Sequence, residues 1–192
     1  MFRNGIGILA LGGLLGLVAS TTAADNYKID PVHSSVHFKI RHMDISDIYG
    51  RFNEVAGNFV LDKEDPSKSS FTMTIKTDSV DTNNKGRDKH LRSPDFFNAP
   101  QFPEITFKST EVKPVDGGYE VTGDFTMHGV TKPISFTLKG GKEVEFPPGR
   151  KQHRTGFATQ LDIKRTDFGI EKFVGMLGDE VHVGIGFEGV KE

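Results

Sequence analysis

Arg87, Asp88 and His90 put a guanidinium, a carboxylate and an imidazole within four residues. Such a trio can move a proton, grip a polar head group, or hold a loop in place through charged hydrogen bonds. A second cluster, Asp162, Arg165 and Asp167, has the same character. If charges of this kind are buried inside a folded domain they must be paired, so both clusters read first as structural networks, and contact with a ligand's head group stays open. The seven histidines do not form a metal set. His33 and His37 stand four residues apart on one strand, about 13 Å at the ordinary strand rise, and His42, His128, His153 and His182 show no His-x-x-x-His spacing on a helical stretch. No metal site is therefore expected. No Gly-x-Ser-x-Gly elbow occurs, and the chain has no cysteine, which excludes disulfides, thiolate ligands, covalent haem and a thiol nucleophile. Nothing here has the form of an enzyme's machinery.

The elements that would position these residues read as strands. Val36, Phe38 and Ile40 alternate with His37, Lys39 and Arg41. The same period of two runs through Val55–Leu61, Phe71–Ile75, Ile105–Lys108, Tyr119–Met127, Ile134–Leu138, Phe157–Ile163 and Val181–Phe187. Alternation of this kind marks half-buried antiparallel strands, since strands of a parallel sheet read as unbroken apolar runs. Asp116-Gly117-Gly118, His128-Gly129 and Gly140-Gly141 supply tight turns, and Pro147-Pro148-Gly149 a longer loop. One helical excursion is expected near residues 84–98, where Ser93-Pro94-Asp95 reads as a helix start carrying Phe96 and Phe97. Eight strands at even spacing with one short helix predict an all-β, closed antiparallel barrel of lipocalin-like form.

At the front of the chain Arg3 precedes an uncharged apolar run from Ile6 to Ala19 and small residues up to Ala24. This is the layout of a secretory signal peptide. The run is too short and too rich in glycine for a spanning helix. Export with cleavage after Ala24 predicts a periplasmic domain of residues 25–192 with no stable membrane insertion. It would carry 23 basic and 26 acidic residues, a balance that suggests no nucleic-acid partner.

Sixteen phenylalanines and no tryptophan set the character of the interior. An eight-stranded barrel is just wide enough either to be filled by side chains or to hold one small ligand. Gly57 and Gly123, on the inward parity, favour space left inside. A cavity with such walls would take an apolar chain, because each buried methylene contributes about 0.8 kcal/mol. The tail-facing candidates are Phe38, Ile40, Phe59, Phe71, Met73, Phe97, Phe107, Phe125, Phe136, Phe157 and Leu161, with Arg87, Asp88, His90, Asp162 and Arg165 as head-group or structural residues.

Several longer motifs carry a family resemblance. The run Arg87-Asp88-Lys89-His90-Leu91-Arg92-Ser93-Pro94-Asp95-Phe96-Phe97 continues to Ser109. Asp30-Pro31-Val32-His33-Ser34 opens the domain, Gly50-Arg51-Phe52 is followed by Gly57, and Ser79-Val80-Asp81-Thr82 precedes the Arg-Asp motif. Val121-Thr122-Gly123-Asp124-Phe125-Thr126, Gly129-Val130-Thr131-Lys132 and Arg165-Thr166-Asp167-Phe168-Gly169-Ile170 follow. Together they resemble the YceI family of exported, lipocalin-like barrels. The resemblance implies an extended eight-stranded barrel and a long-chain isoprenoid lipid (a polyprenyl chain or isoprenoid quinone) as ligand, with no other cofactor. A long ligand protruding from the barrel would favour a homodimer, and delivery would involve a lipid-handling partner. The rival reading is a solid-cored barrel that acts through its surface on a membrane electron-transfer protein.

Overall fold

The computed structural model describes residues 24–147, 149 and 151–192; the expected signal peptide lies outside them except for Ala24. Among the described residues the strands are β1 (Asp25–His42), β2 (Ser46–Phe52), β3 (Val55–Leu61), β4 (Ser70–Lys76), β5 (Val80–Asp81), β6 (Glu104–Val115), β7 (Gly118–Met127), β8 (Val130–Gly140), β9 (Val144–Glu145), β10 (His153–Lys164) and β11 (Leu177–Lys191). One helix, α1 (Lys85–Leu91), stands between β5 and β6. No helix among these residues is long and apolar enough to cross a membrane.

Eight strands close the barrel in the order β11-β10-β8-β7-β6-β4-β3-β1, and β1 returns to β11. These are the eight that the period-2 pattern predicts. β1 is long enough to serve three partners. Along its length it pairs with β11, while Asp25–Lys28 pair with β3 and Val36–His42 with β2. The register slips between Asp30 and Ser35. Pro31 has no N–H to give there, and the Asp30 carboxylate accepts from the Val32 backbone instead. β2 has no counterpart in the expected strands. Its sequence, Ser-Asp-Ile-Tyr-Gly-Arg-Phe, lacks clean alternation, and only its ladder with β1 and the Arg51–Asp81 contact to β5 define it.

The turns follow their glycines. Asp116-Gly117 and His128-Gly129 are two-residue hairpin loops, and His128 and Gly129 both take positive φ (51° and 77°), as a type I′ turn demands. The helix differs from expectation. Asn84, not Ser93, caps it by accepting from the Arg87 N–H at 3.0 Å. Ser93 instead donates its hydroxyl to the His90 carbonyl, and residues 94–97 form consecutive turns. Proline disfavours helical geometry in the residue before it, so Pro94 ends the helix at Arg92 rather than starting a second one.

One end of the barrel is plugged by rings. Tyr27 lies parallel to Phe59 at 4.8 Å, and Phe59 also meets Phe71, Phe157 and Phe187 at 5.6–5.8 Å. Above the plug, Glu143 ties the β8–β9 connection to the barrel. It accepts from the Tyr27 hydroxyl at 2.7 Å and from Lys63 at 2.9 Å, and it meets His153 at 3.0 Å. Arg154 on β10 reaches Asp30 on β1 at 2.6 Å, across β11. Hydrogen bonds from Lys63 and Tyr27 hold the Glu143 carboxyl down to about 2, and those from His33 and Arg154 do the same for Asp30.

Both groups titrate lower in the folded than in the unfolded chain, so their stabilisation is complete above their ordinary values of 4.5 and 3.8 and is lost as pH falls towards 2. Thermal melts from pH 6 to 2 are expected to show a fall in Tm below about pH 4.5 that is shallower in Glu143→Gln and in Asp30→Asn. Truncating the centre of the plug, Phe59→Ala, is expected to cost about 3–5 kcal/mol in denaturant unfolding.

Candidate ligand-binding cavity

Between the aromatic plug and the helical excursion the barrel is not filled. A cavity of about 160 Å³ runs inside it. At the plug its walls are Phe59, Phe71, Leu138 and Phe187; at the other end they are Phe52, Leu91, Phe96, Phe97, Ile170 and Leu177. Polar residues border it only at Asn58, Thr72, Thr106, Thr159 and Arg165. Ten of the sixteen phenylalanines are on the wall, so the excess of this residue belongs mainly to the cavity lining.

Of the eleven tail-facing candidates, all but Phe157 border the cavity. Phe157 shares the inward parity but sits behind Phe59, Phe71 and Phe187, within the plug. Parity fixes which side of a sheet a residue faces, not its height along the barrel, and that height is what removes Phe157. The aliphatic half of the wall, including Val36, Ile75, Ile105, Ile163, Val181, Val183 and Ile185, shares the inward parity of the alternating strands. Phe52, Leu91, Phe96 and Ile170 come from β2, the excursion and a loop, and no periodicity marks them.

The two inward glycines do not leave space. A Cβ on Gly57 would lie 2.1 Å from the Thr72 carbonyl oxygen, and one on Gly123 would lie 2.6 Å from the Phe107 ring and 2.4 Å from the Lys108 carbonyl oxygen. Glycine at these points admits neighbouring backbone and a ring, so the expectation drawn from them is corrected: they do not make the cavity.

The polar candidates separate. Asp88 is buried and accepts from both the backbone N–H (2.8 Å) and the hydroxyl (2.5 Å) of Thr82. Arg87 donates to the Thr82 hydroxyl and carbonyl, both at 2.7 Å. His90 pairs with Asp95 at 2.8 Å, edge-on to Phe96 at 5.0 Å. Arg87 and Asp88 lock the helix to Thr82 at the end of β5, His90 ties it to the turns that follow, and none of the three borders the cavity. Asp162 is on the outer face, 2.6 Å from His182, and the oxygens and nitrogens of Asp162, Glu180 and His182 lie within 4.8 Å of one another. The cross-strand register of β10 and β11 assembles this exposed group, which spacing along the chain does not reveal. It faces solvent with the imidazole already between the two carboxylates.

Arg165 alone among the five borders the cavity. It is buried, and donates to four carbonyls: Gly178 (2.9 Å), Ile170 (2.7 Å), Lys172 (2.9 Å) and Leu177 (3.0 Å). Burial pulls its pKa down and nearby Asp179 pulls it back; a guanidinium stays protonated regardless. Its donors are thus spent on tying the loop after β10 to the start of β11, beside the cavity's end.

The sequence model of the YceI-like domain matches residues 27–189. The chain belongs to the YceI family. It is 40% identical over its whole length to a UPF0312 protein of Pseudomonas aeruginosa, and 41% identical to one of Yersinia pestis over 95% of both chains. Among solved structures, the YceI protein of Campylobacter jejuni has 28% identity and a TM-score of 0.70, covering 79% of this chain and 89% of that one. BcnA of Burkholderia cenocepacia superimposes with a TM-score of 0.74 over 83% of this chain and 98% of its own, at 23% identity. A polyisoprenoid binding domain of Saccharophagus degradans, implicated in plant cell wall breakdown, superimposes at 0.65 over 86% of this chain and 98% of its own, at 16% identity. The last two bear on the fold alone.

Arg165→Met would leave four carbonyls without their donors while keeping most of the side-chain volume. A charged hydrogen bond contributes about 1.5–3 kcal/mol, and the four are not additive, so a loss of about 3 kcal/mol is expected in urea unfolding. Hydrogen exchange should rise first at residues 170–178.

Proposed function

We propose that this YceI-family protein binds a long-chain isoprenoid lipid in its barrel, and that it does so in the periplasm as a non-enzymatic carrier or store. The observation that carries the reading is an apolar cavity inside the barrel, walled by ten phenylalanines and by aliphatic side chains. Among the described residues the wall is apolar but for Asn58, Thr72, Thr106, Thr159 and Arg165. Arg165, the one charged group there, has its donors directed at backbone carbonyls. An apolar ligand gains by leaving water at about 0.8 kcal/mol per methylene, and bulk shape sets selectivity. The polyisoprenoid binding domain of Saccharophagus degradans, on the same fold, agrees with this chemistry. The cavity speaks against the solid-cored rival, which needs a filled interior.

Size adds a condition. An apolar cavity of about 150 Å³ takes one benzene ring, so 160 Å³ has room for about one five-carbon isoprene unit. A longer chain must displace side chains or continue beyond the wall. Phe107, Phe125 and Phe136 are half-buried rings of that wall, with Phe107 and Phe136 in contact at 5.0 Å.

The test is a set of single Phe→Trp substitutions at Phe107, Phe125 and Phe136, with affinity for a polyprenyl alcohol and urea stability both measured. Each tryptophan should weaken binding by roughly tenfold, about 1.4 kcal/mol, while changing stability by less. Unchanged affinity at all three positions would show that the chain does not occupy the barrel.

A further inference from the structure

We propose that the seam between β8 and β10 is a side portal through which the ligand's apolar chain crosses the barrel wall; this rests on the lipid-binding reading. Every other neighbour of these strands is paired along most of its length: β7 with β8 over ten residue pairs, β10 with β11 over eleven. The β8–β10 ladder has two, Phe157 with Gly140 and Ala158 with Lys139. Beyond that rung Val130–Leu138 and Thr159–Lys164 have no ladder between them among the described residues. Six residues of β10 at about 3.3 Å each make the gap roughly 20 Å long.

The gap is bounded, not frayed. At its far end the 3₁₀ turn Arg165–Phe168 folds back over the β7–β8 hairpin. His128 Nδ1 lies 3.0 Å from the Phe168 carbonyl oxygen, Lys132 pairs with Asp167 at 3.1 Å, and the Phe168 ring meets Phe125 at 5.3 Å. A ladder shuts one end of the window and this latch shuts the other.

Three further features fit a wall built to stay open there. Proline inside a sheet is confined to edge strands, first residues and bulges, yet Pro133 sits within β8, in the stretch that faces the gap and not in the paired end. The inward residues on the two lips, Ile134 and Phe136 against Leu161 and Ile163, are apolar and border the cavity. On the outside, Asp162 and Lys164 are exposed on the β10 lip. Charge on an open edge discourages pairing with a second chain, which leaves the gap to a ligand without backbone donors. An isoprenoid longer than the cavity meets that description: one unit lies inside, and the rest passes between apolar lips.

The chain has no cysteine, so a thiol pair can be placed across the seam without interference. In Ser135→Cys/Asp162→Cys, outward positions that would face each other if the ladder continued, a short bis-thiosulfonate reagent would bridge the lips reversibly. Lys113→Cys/Glu120→Cys, opposite each other on the closed β6–β7 ladder, is the control. The readout is the rate of uptake of a fluorescent polyprenyl alcohol from phosphatidylcholine vesicles, with bridging verified by mass. Bridging the seam is expected to slow uptake and release at least tenfold, with recovery on reduction, while the bridged control keeps the wild-type rate. Phe136→Ala, which widens one lip, should speed exchange several-fold. Unchanged rates in the bridged seam and in Phe136→Ala would overturn the portal while leaving wild-type uptake intact. Absence of uptake by the wild-type protein would instead remove the lipid-binding reading, and the portal with it.

Discussion

The return of β1 to β11 is the contact on which the rest of the molecule depends. A sheet of eight strands that did not close would expose two edges, with no disulfide to hold it together. The closing ladder has eleven residue pairs, Tyr27 with Lys191 through His42 with Leu177. Its middle is interrupted by the Asp30–Ser34 bend, where Arg154 spans from β10 to Asp30. The interruption lets one strand bend far enough to meet β3 at its beginning and β2 at its end. Closure therefore comes with a curved first strand, and that curvature sets the interior shape.

Within that frame the two ends of the barrel are finished by different means. At one end flat rings stack and interlock until no space remains, with Glu143 satisfying the one buried hydroxyl that the plug introduces, that of Tyr27. Burial and the neighbouring carboxylate together drive that phenol's pKa strongly upward, so it stays a donor at any physiological pH. At the other end a short helix and a run of turns lie over the opening, held by side chains bonded to backbone: Arg92 to the Asp78 and Val80 carbonyls, Asp88 to Thr82, Arg165 to four carbonyls. The cavity is what remains between a rigid plug and a fastened cover. The charged residues serve as fastenings around it, so the apolar surface is free to be its chemistry.

The barrel was legible in the sequence because period-2 alternation reports the side of a sheet directly, as in Tyr119, Val121, Gly123, Phe125 and Met127. Each predicted barrel strand contains such a run. β2 escaped because Gly50 and Arg51 break its pattern, although its partner β1 immediately precedes it in the chain. The helix start was misplaced because Ser93-Pro94-Asp95 satisfies the local rule for a beginning while the preceding Asn84-Lys85-Gly86-Arg87-Asp88 satisfies it too, and tertiary bonds to Thr82 decide between them. At the site, inwardness was readable and height was not, which is why Phe157 fell in the plug. The Gly57 and Gly123 reading failed for a related reason: a missing side chain shows only that something comes close, and here it is backbone and a ring. The β8–β10 gap had one trace in the sequence, Pro133, whose meaning requires knowing which strand lies beside it.

The central claim is that an isoprenoid chain occupies this barrel, and its most direct test is native mass spectrometry of protein purified from the periplasm of its own cells, followed by solvent extraction of whatever remains bound. The account predicts a stoichiometric adduct that extracts as a polyprenyl lipid or an isoprenoid quinone. Protein that is free of lipid as isolated, and that takes up no added polyprenyl compound, would contradict it.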